Sequence, residues 1–200
     1  MKSSALPYWL AFAVTLVAVY GAYKVYQVEN ARPTGGVNVR LPRLQEFELT
    51  DQNGQPFRSA EMKGNVWVAS FFFSTCPASC ARLNANIKYL TTLKELEGVT
   101  WISITVDPET DTPERLKAWG AMFGAKPGWT FVTGAKPEID KVSMALTGAA
   151  AIKGAHSAVV YIGNDKTGIW TRAYGLHDPE RFSELIEEVA NSSPKGSDQK

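Results

Sequence analysis

The sequence predicts an α/β domain built on a βαβ core and closed by a ββα end, carried behind one apolar N-terminal segment. Three observations predict it. Two continuous apolar runs, "VWVASFFF" and "VTWISITV", are too short for helices and rich in strand-forming residues. A segment of helical periodicity lies between them, and a hairpin pattern followed by an amphipathic helix ends the chain.

Each element carries its own signal. "FELTDQNGQPFRS" holds two extended segments around Asn53-Gly54, the composition of a tight hairpin. Val66–Phe73 is the first core strand, and its unbroken apolarity suits a strand buried on both faces. From Leu83 to Leu96, Ile87 and the leucines recur at helical spacing until Gly98 stops the run. Val99–Val106 is the second buried strand. Thr112 caps a helix starting at Pro113, with Leu116, Trp119 and Phe123 on one face. Trp129–Val132 reads as a short strand and Lys136–Leu146 as a helix. Ala158–Ile162 and Gly168–Tyr174 flank an Asn164-Asp165 turn, and Asp178-Pro179 opens a last helix through Phe182, Leu185, Ile186 and Val189. This order is the thioredoxin-like plan with an added N-terminal β-hairpin. In α/β sheets chemistry gathers where a core strand runs into its helix, which here is Ser74–Cys80.

The chain's 200 residues divide into an N-terminal tail (1–7), an apolar segment (8–28), a linker rich in Pro and Gly (29–43), the domain (44–190) and a polar, disordered tail (191–200). Tyr8–Tyr23 has no charged residue, and Tyr8, Trp9, Tyr20, Tyr23 and Tyr26 sit toward its ends as an aromatic belt would, so a single transmembrane helix is expected. A cleaved signal peptide is the alternative, but bulky Tyr20 and Tyr23 spoil the Val19/Gly21 cleavage site. Lys24, Arg32, Arg40 and Arg43 follow the span and only Lys2 precedes it, so the count of basic residues places the domain in the cytoplasm. A net charge of +1, with no basic stripe among aromatics, excludes nucleic acid as a partner.

The two cysteines, Cys76 and Cys80, could form a redox couple, a metal site or a structural staple. Pro77 suits the first turn of a helix, with Cys76 at its cap and Cys80 inside. Spacing i, i+4 would bring both sulfurs to one face, and the helix N-terminus would favour thiolates. Thiol-disulfide oxidoreductases of this fold use C-x-x-C with a Pro opposite, whereas this chain has C-x-x-x-C and no Pro in "KGAHSAVVYI". It has His156 there. Two thiolates and an imidazole suit copper, while zinc in a closed site would want a fourth ligand. His177, before the Asp178 cap, reads as a solvated residue.

"FELTDQNGQPF", "FFFSTCPASC", "SITVDPETDTPERLKAW" and "AHSAVVYI" together resemble the Sco/SenC copper chaperones of cytochrome c oxidase assembly. The resemblance spans most of the domain. It implies Cys76, Cys80 and His156 as copper ligands, a Cys76–Cys80 disulfide as the copper-free state, and Asp107 as an acidic residue supporting the ligands. It implies a metallochaperone rather than an enzyme, with the copper-bearing subunit of cytochrome c oxidase as client and a copper donor or thiol reductant as further partner. It also places the domain on the periplasmic side of a membrane, against the count of basic residues. The sequence departs from the family in a shorter, Ala/Gly-rich "MALTGAAAIKGAH" and in Ala155, which stands where an Asp usually precedes the ligand His. A thiol-disulfide reductase keeping a client's copper-ligand cysteines reduced is the second reading, and a thiol peroxidase a third.

Overall fold

The seven-stranded sheet is organised by β3 (Val66–Phe72), whose residues from Trp67 onward are all buried. The computed structural model describes residues 6–30, 46–77, 79–153, 158–176 and 178–193, with side chains described for 11–24 of the first stretch. Two compact units make up the chain, Met1–Thr34 and Gly35–Lys200.

In the first unit, α1 (Leu6–Asn30) covers the predicted apolar segment. Its described side chains are exposed and, Thr15 and Lys24 apart, apolar or aromatic, Val14, Val17 and Val19 among them. Among the described residues no helix is long and apolar enough to cross a membrane. The expectation at 8–28 is therefore met as a helix, and the fold itself gives the membrane span no support.

In the second unit, the hairpin β1 (Glu48–Asp51) and β2 (Pro56–Arg58) closes around Asp51, whose carboxylate accepts the N–H groups of Asn53 and Gln55, each at 2.8 Å. β4 (Thr100–Thr105) and β5 (Trp129–Thr133) continue β3 in parallel, while β6 (Val159–Asn164) and β7 (Ile169–Tyr174) run antiparallel on its other side. The order is β2-β1-β5-β4-β3-β6-β7, with the hairpin joined antiparallel to β5. This is the expected thioredoxin-like core, extended by β5 and the hairpin.

Helices α2 (Ser79–Leu90), α3 (Pro113–Met122), α4 (Lys136–Thr147) and α5 (Pro179–Ala190) cover the sheet. Thr112 caps α3 by accepting the Arg115 N–H, and Asp178 caps α5 by accepting that of Glu180, as the sequence predicts. Because side chains alternate along β3, Phe72 stacks on Trp119 of α3 on one face while Phe71 meets Tyr161 of β6 on the other. The predicted 83–96 helix differs in both ends. It begins at Ser79 and stops at Leu90, because the Thr91 and Thr92 hydroxyls turn back onto the carbonyls of Lys88 and Tyr89. A 3₁₀ turn, Lys94–Leu96, follows.

α2 docks through Gly175, just past β7. The Asn86 amide donates to the Gly175 carbonyl at 2.9 Å, and the Gly175 N–H donates to the Ala158 carbonyl at 2.7 Å. A Cβ at Gly175 would lie 2.3 Å from Leu83 Cδ1 and 3.2 Å from the Ala158 carbonyl. Gly175→Ala is expected to cost about 1–3 kcal/mol through overpacking, read as a lowered thermal midpoint of the reduced protein. An unchanged midpoint would contradict this close approach.

Candidate metal centre

The chain leaves β3 at Phe73 and turns at once. Cys76 donates its N–H to the Phe73 carbonyl at 3.1 Å, closing a turn through Ser74 and Thr75. The Phe73 N–H in turn bonds the Cys80 sulfur, and the two cysteines share a hydrogen bond. Both are thiols here, Cys76 half-buried and Cys80 buried. Cys76 Sγ also lies 3.8 Å from Ser79 Oγ. The sulfurs converge as expected, but through this turn. α2 begins at Ser79, so Cys76 precedes the helix and Cys80 is its second residue.

The expected lowering of the thiol pKa does not hold for Cys80. Burial pushes it from an ordinary 9.0 up to about 12, reinforced by the Cys76 hydrogen bond and charge and opposed by the Phe73 N–H and Ser79 hydroxyl. The helix N-terminus is too weak to offset removal from water at a sulfur only 1% exposed.

Asp107 follows β4. Its carboxylate takes the Lys153 ammonium at 2.5 Å, and that ammonium also lies 5.2 Å from the centre of the Phe73 ring. Burial works against ionisation of Asp107, yet hydrogen bonds from Lys153 and Thr110 and the charges of Lys153 and Arg115 hold its pKa below the usual value. Asp107 thus meets the cysteine turn through Lys153 and Phe73. His156 and His177 lie outside the described residues. Among the described residues no group of three His, Cys, Asp or Glu side chains is assembled to hold a metal ion. The flanks of His156 are nevertheless tied to the cysteine elements, Lys153 to Phe73 on one side and Ala158 through Gly175 to α2 on the other.

Asp111 is a residue the sequence reading missed. It is fully buried below the cysteine turn, where its carboxylate accepts the Ser74 N–H at 3.0 Å, the Ser74 hydroxyl, and the Thr105 hydroxyl at 2.6 Å. Its place just before the Thr112-Pro113 cap gives a signal for a helix start and none for burial. The Ala-rich segment before Lys153 borders a cavity of about 320 Å³ between α4 and the sheet, with Phe71, Tyr161 and Arg172 in its wall.

A thioredoxin-like sheet presenting two convergent thiols where β3 meets α2 defines a protein that works through sulfur, by redox exchange or by soft-metal binding. The SCO1/SenC family profile matches residues 39–191, and the chain belongs to that family. It is 31% identical over 117 residues to the SCO1 protein homolog of Bacillus subtilis, covering 55% of this chain and 61% of that protein. It therefore spans about three-fifths of that relative's length. A SCO1/SenC family lipoprotein of Bacillus anthracis superimposes with a TM-score of 0.64 at 27% identity, covering 74% of this chain and 95% of that one. Copper-bound yeast Sco1 has the same fold, with a TM-score of 0.62 at 22% identity over 80% of this chain and 99% of that one.

The burial difference between the thiols can be read directly. With reduced, metal-free protein at pH 8, iodoacetamide is expected to alkylate Cys76 first. Cys80, with about a thousandfold less thiolate than a thiol at 9.0, should stay unmodified until the chain unfolds. Peptide mass spectrometry gives both rates, and equal rates would refute the buried-thiol geometry.

Proposed function

We propose that this chain is a membrane-anchored copper chaperone that carries copper as cargo to the dinuclear CuA centre of cytochrome c oxidase. It is a carrier rather than an enzyme. Cys76, Cys80 and His156 hold the ion, and loading requires both cysteines as thiols, so a Cys76–Cys80 disulfide is the state that cannot load. One observation carries this reading: Lys153, three residues before His156, is fixed on Phe73, whose peptide group holds both cysteines. Three residues span at most about 10 Å, which keeps His156 in the neighbourhood of Lys153. Two soft sulfurs, one of them partly open to solvent, fit Cu(I) or Cu(II) better than a hard cation. Asp107, with Lys153, supports the ligand-bearing segment.

The test is copper titration of the reduced full chain. Wild type should bind one ion tightly, and Cys76→Ala, Cys80→Ala and His156→Ala should each weaken binding by at least about a hundredfold. Affinity should fall with decreasing pH, by up to about tenfold per unit for each thiol proton displaced. Undiminished binding in either Cys76→Ala or His156→Ala would sink the ligand set. A reductase keeping a client's cysteines reduced would need both cysteines and tolerate His156→Ala.

The localisation follows the family over the count of basic residues: a single-pass protein with α1 in the bacterial inner membrane and the domain in the periplasm. The absence of charge from Tyr8 to Tyr23 supports an anchor. There the partners are the copper-bearing oxidase subunit, a periplasmic copper donor and a thiol reductant. The chain should stay with membranes through an alkaline carbonate wash, and protease added to spheroplasts should remove the domain. Release by carbonate, or protection from protease, would overturn the anchor or the orientation respectively.

A further inference from the structure

We infer that Asp111 is the positioning residue that sets the redox poise of the Cys76/Cys80 pair. The inference deepens the proposed function, because the same dithiol is there the copper-loading state. Ser74 Oγ accepts the Arg115 Nε–H at 2.6 Å, and Thr105 Oγ1 accepts the Asp107 N–H at 2.9 Å. Each hydroxyl has one proton to give, and both give it to Asp111. The Ser74 N–H is the third donor to the same carboxylate, and Arg115 Nε stands 3.6 Å from its Oδ1. One buried acceptor-only group thus fixes the first corner of the turn carrying Cys76 and, through Thr105, the backbone of Asp107.

The turn holds the two sulfurs within hydrogen-bonding reach of each other. A disulfide needs its sulfurs close and correctly oriented, so a preorganised turn raises the effective concentration of one thiol at the other. This preorganisation favours the disulfide. Asp111→Asn keeps the size, removes the charge and turns an NH₂ toward one of the three donors. The turn loosens, and the disulfide becomes easier to reduce.

The test uses the full chain equilibrated with glutathione, in which two protein thiols plus one oxidised glutathione give the protein disulfide plus two reduced glutathiones. Asp111→Asn is expected to lower this equilibrium constant by about tenfold, about 30 mV for a two-electron couple. Ser74→Ala, which keeps the backbone N–H, should shift it the same way by about threefold. Asn164→Ala, which cuts the amide bonds to the Val189 and Ala190 carbonyls at the far end of the sheet, should lower the thermal midpoint and leave the constant alone. A constant within twofold of wild type in Asp111→Asn, or a shift toward the disulfide, overturns the inference even if that variant is less stable. Should Asp111→Asn fail to fold, an unchanged constant in Ser74→Ala overturns it. The equilibrium needs no copper, so wild-type protein that binds none refutes the carrier function and leaves this result readable.

Discussion

Phe73 is the constraint on which the site depends. Its carbonyl takes the Cys76 N–H, its N–H reaches the Cys80 sulfur, and its ring underlies the Lys153 ammonium. Phe73 directly follows β3, a strand buried along nearly its whole length and paired on both sides. The turn that carries the sulfurs therefore starts from a fixed point on the sheet. The pairing with β4 extends one bond further, from the Val106 N–H to the Phe72 carbonyl at 2.8 Å, and this brings the 107–111 loop beside the cysteine turn. Strand pairing sets the neighbourhood, and the buried carboxylate of Asp111 then fixes it in detail.

Most of the architecture was legible because its signals are local. Unbroken apolar runs announce strands covered on both faces, and Thr112-Pro113 and Asp178-Pro179 announce helix starts. The end of α2 was harder, since leucine periodicity runs on to Leu96 while the Thr91 and Thr92 hydroxyls compete for carbonyls and end the helix earlier. The cysteine spacing pointed to convergent sulfurs, yet the lowered thiol pKa it implied does not hold at Cys80. A helix N-terminus can be read from sequence; the degree of burial of one sulfur cannot, and at Cys80 burial outweighs the dipole. Asp111 and Lys153 were illegible for a related reason. Asp111 bonds Ser74, 37 positions away, and no periodicity encodes a contact of that separation.

The Ala-rich departure from the family pattern has a physical counterpart. Ala149, Ala150 and Ala151 are too small to fill the space between α4 and β6, which leaves the cavity bounded by Phe71 and Tyr161. The segment is held by polar contacts in place of side-chain packing: the Ala151 N–H and carbonyl are taken by Asp140 and Lys136, and Lys153 by Asp107. Contacts of this kind tolerate changes in volume that a packed core would not.

The unequal burial of the two sulfurs imposes a direction on traffic through the site. An incoming nucleophile, or a competing ligand from a docked protein, meets Cys76 at the surface, while Cys80 lies behind it with its sulfur held by backbone. In the carrier proposed above, the outer sulfur is thus the one that forms the mixed intermediate and the inner one the one that resolves it.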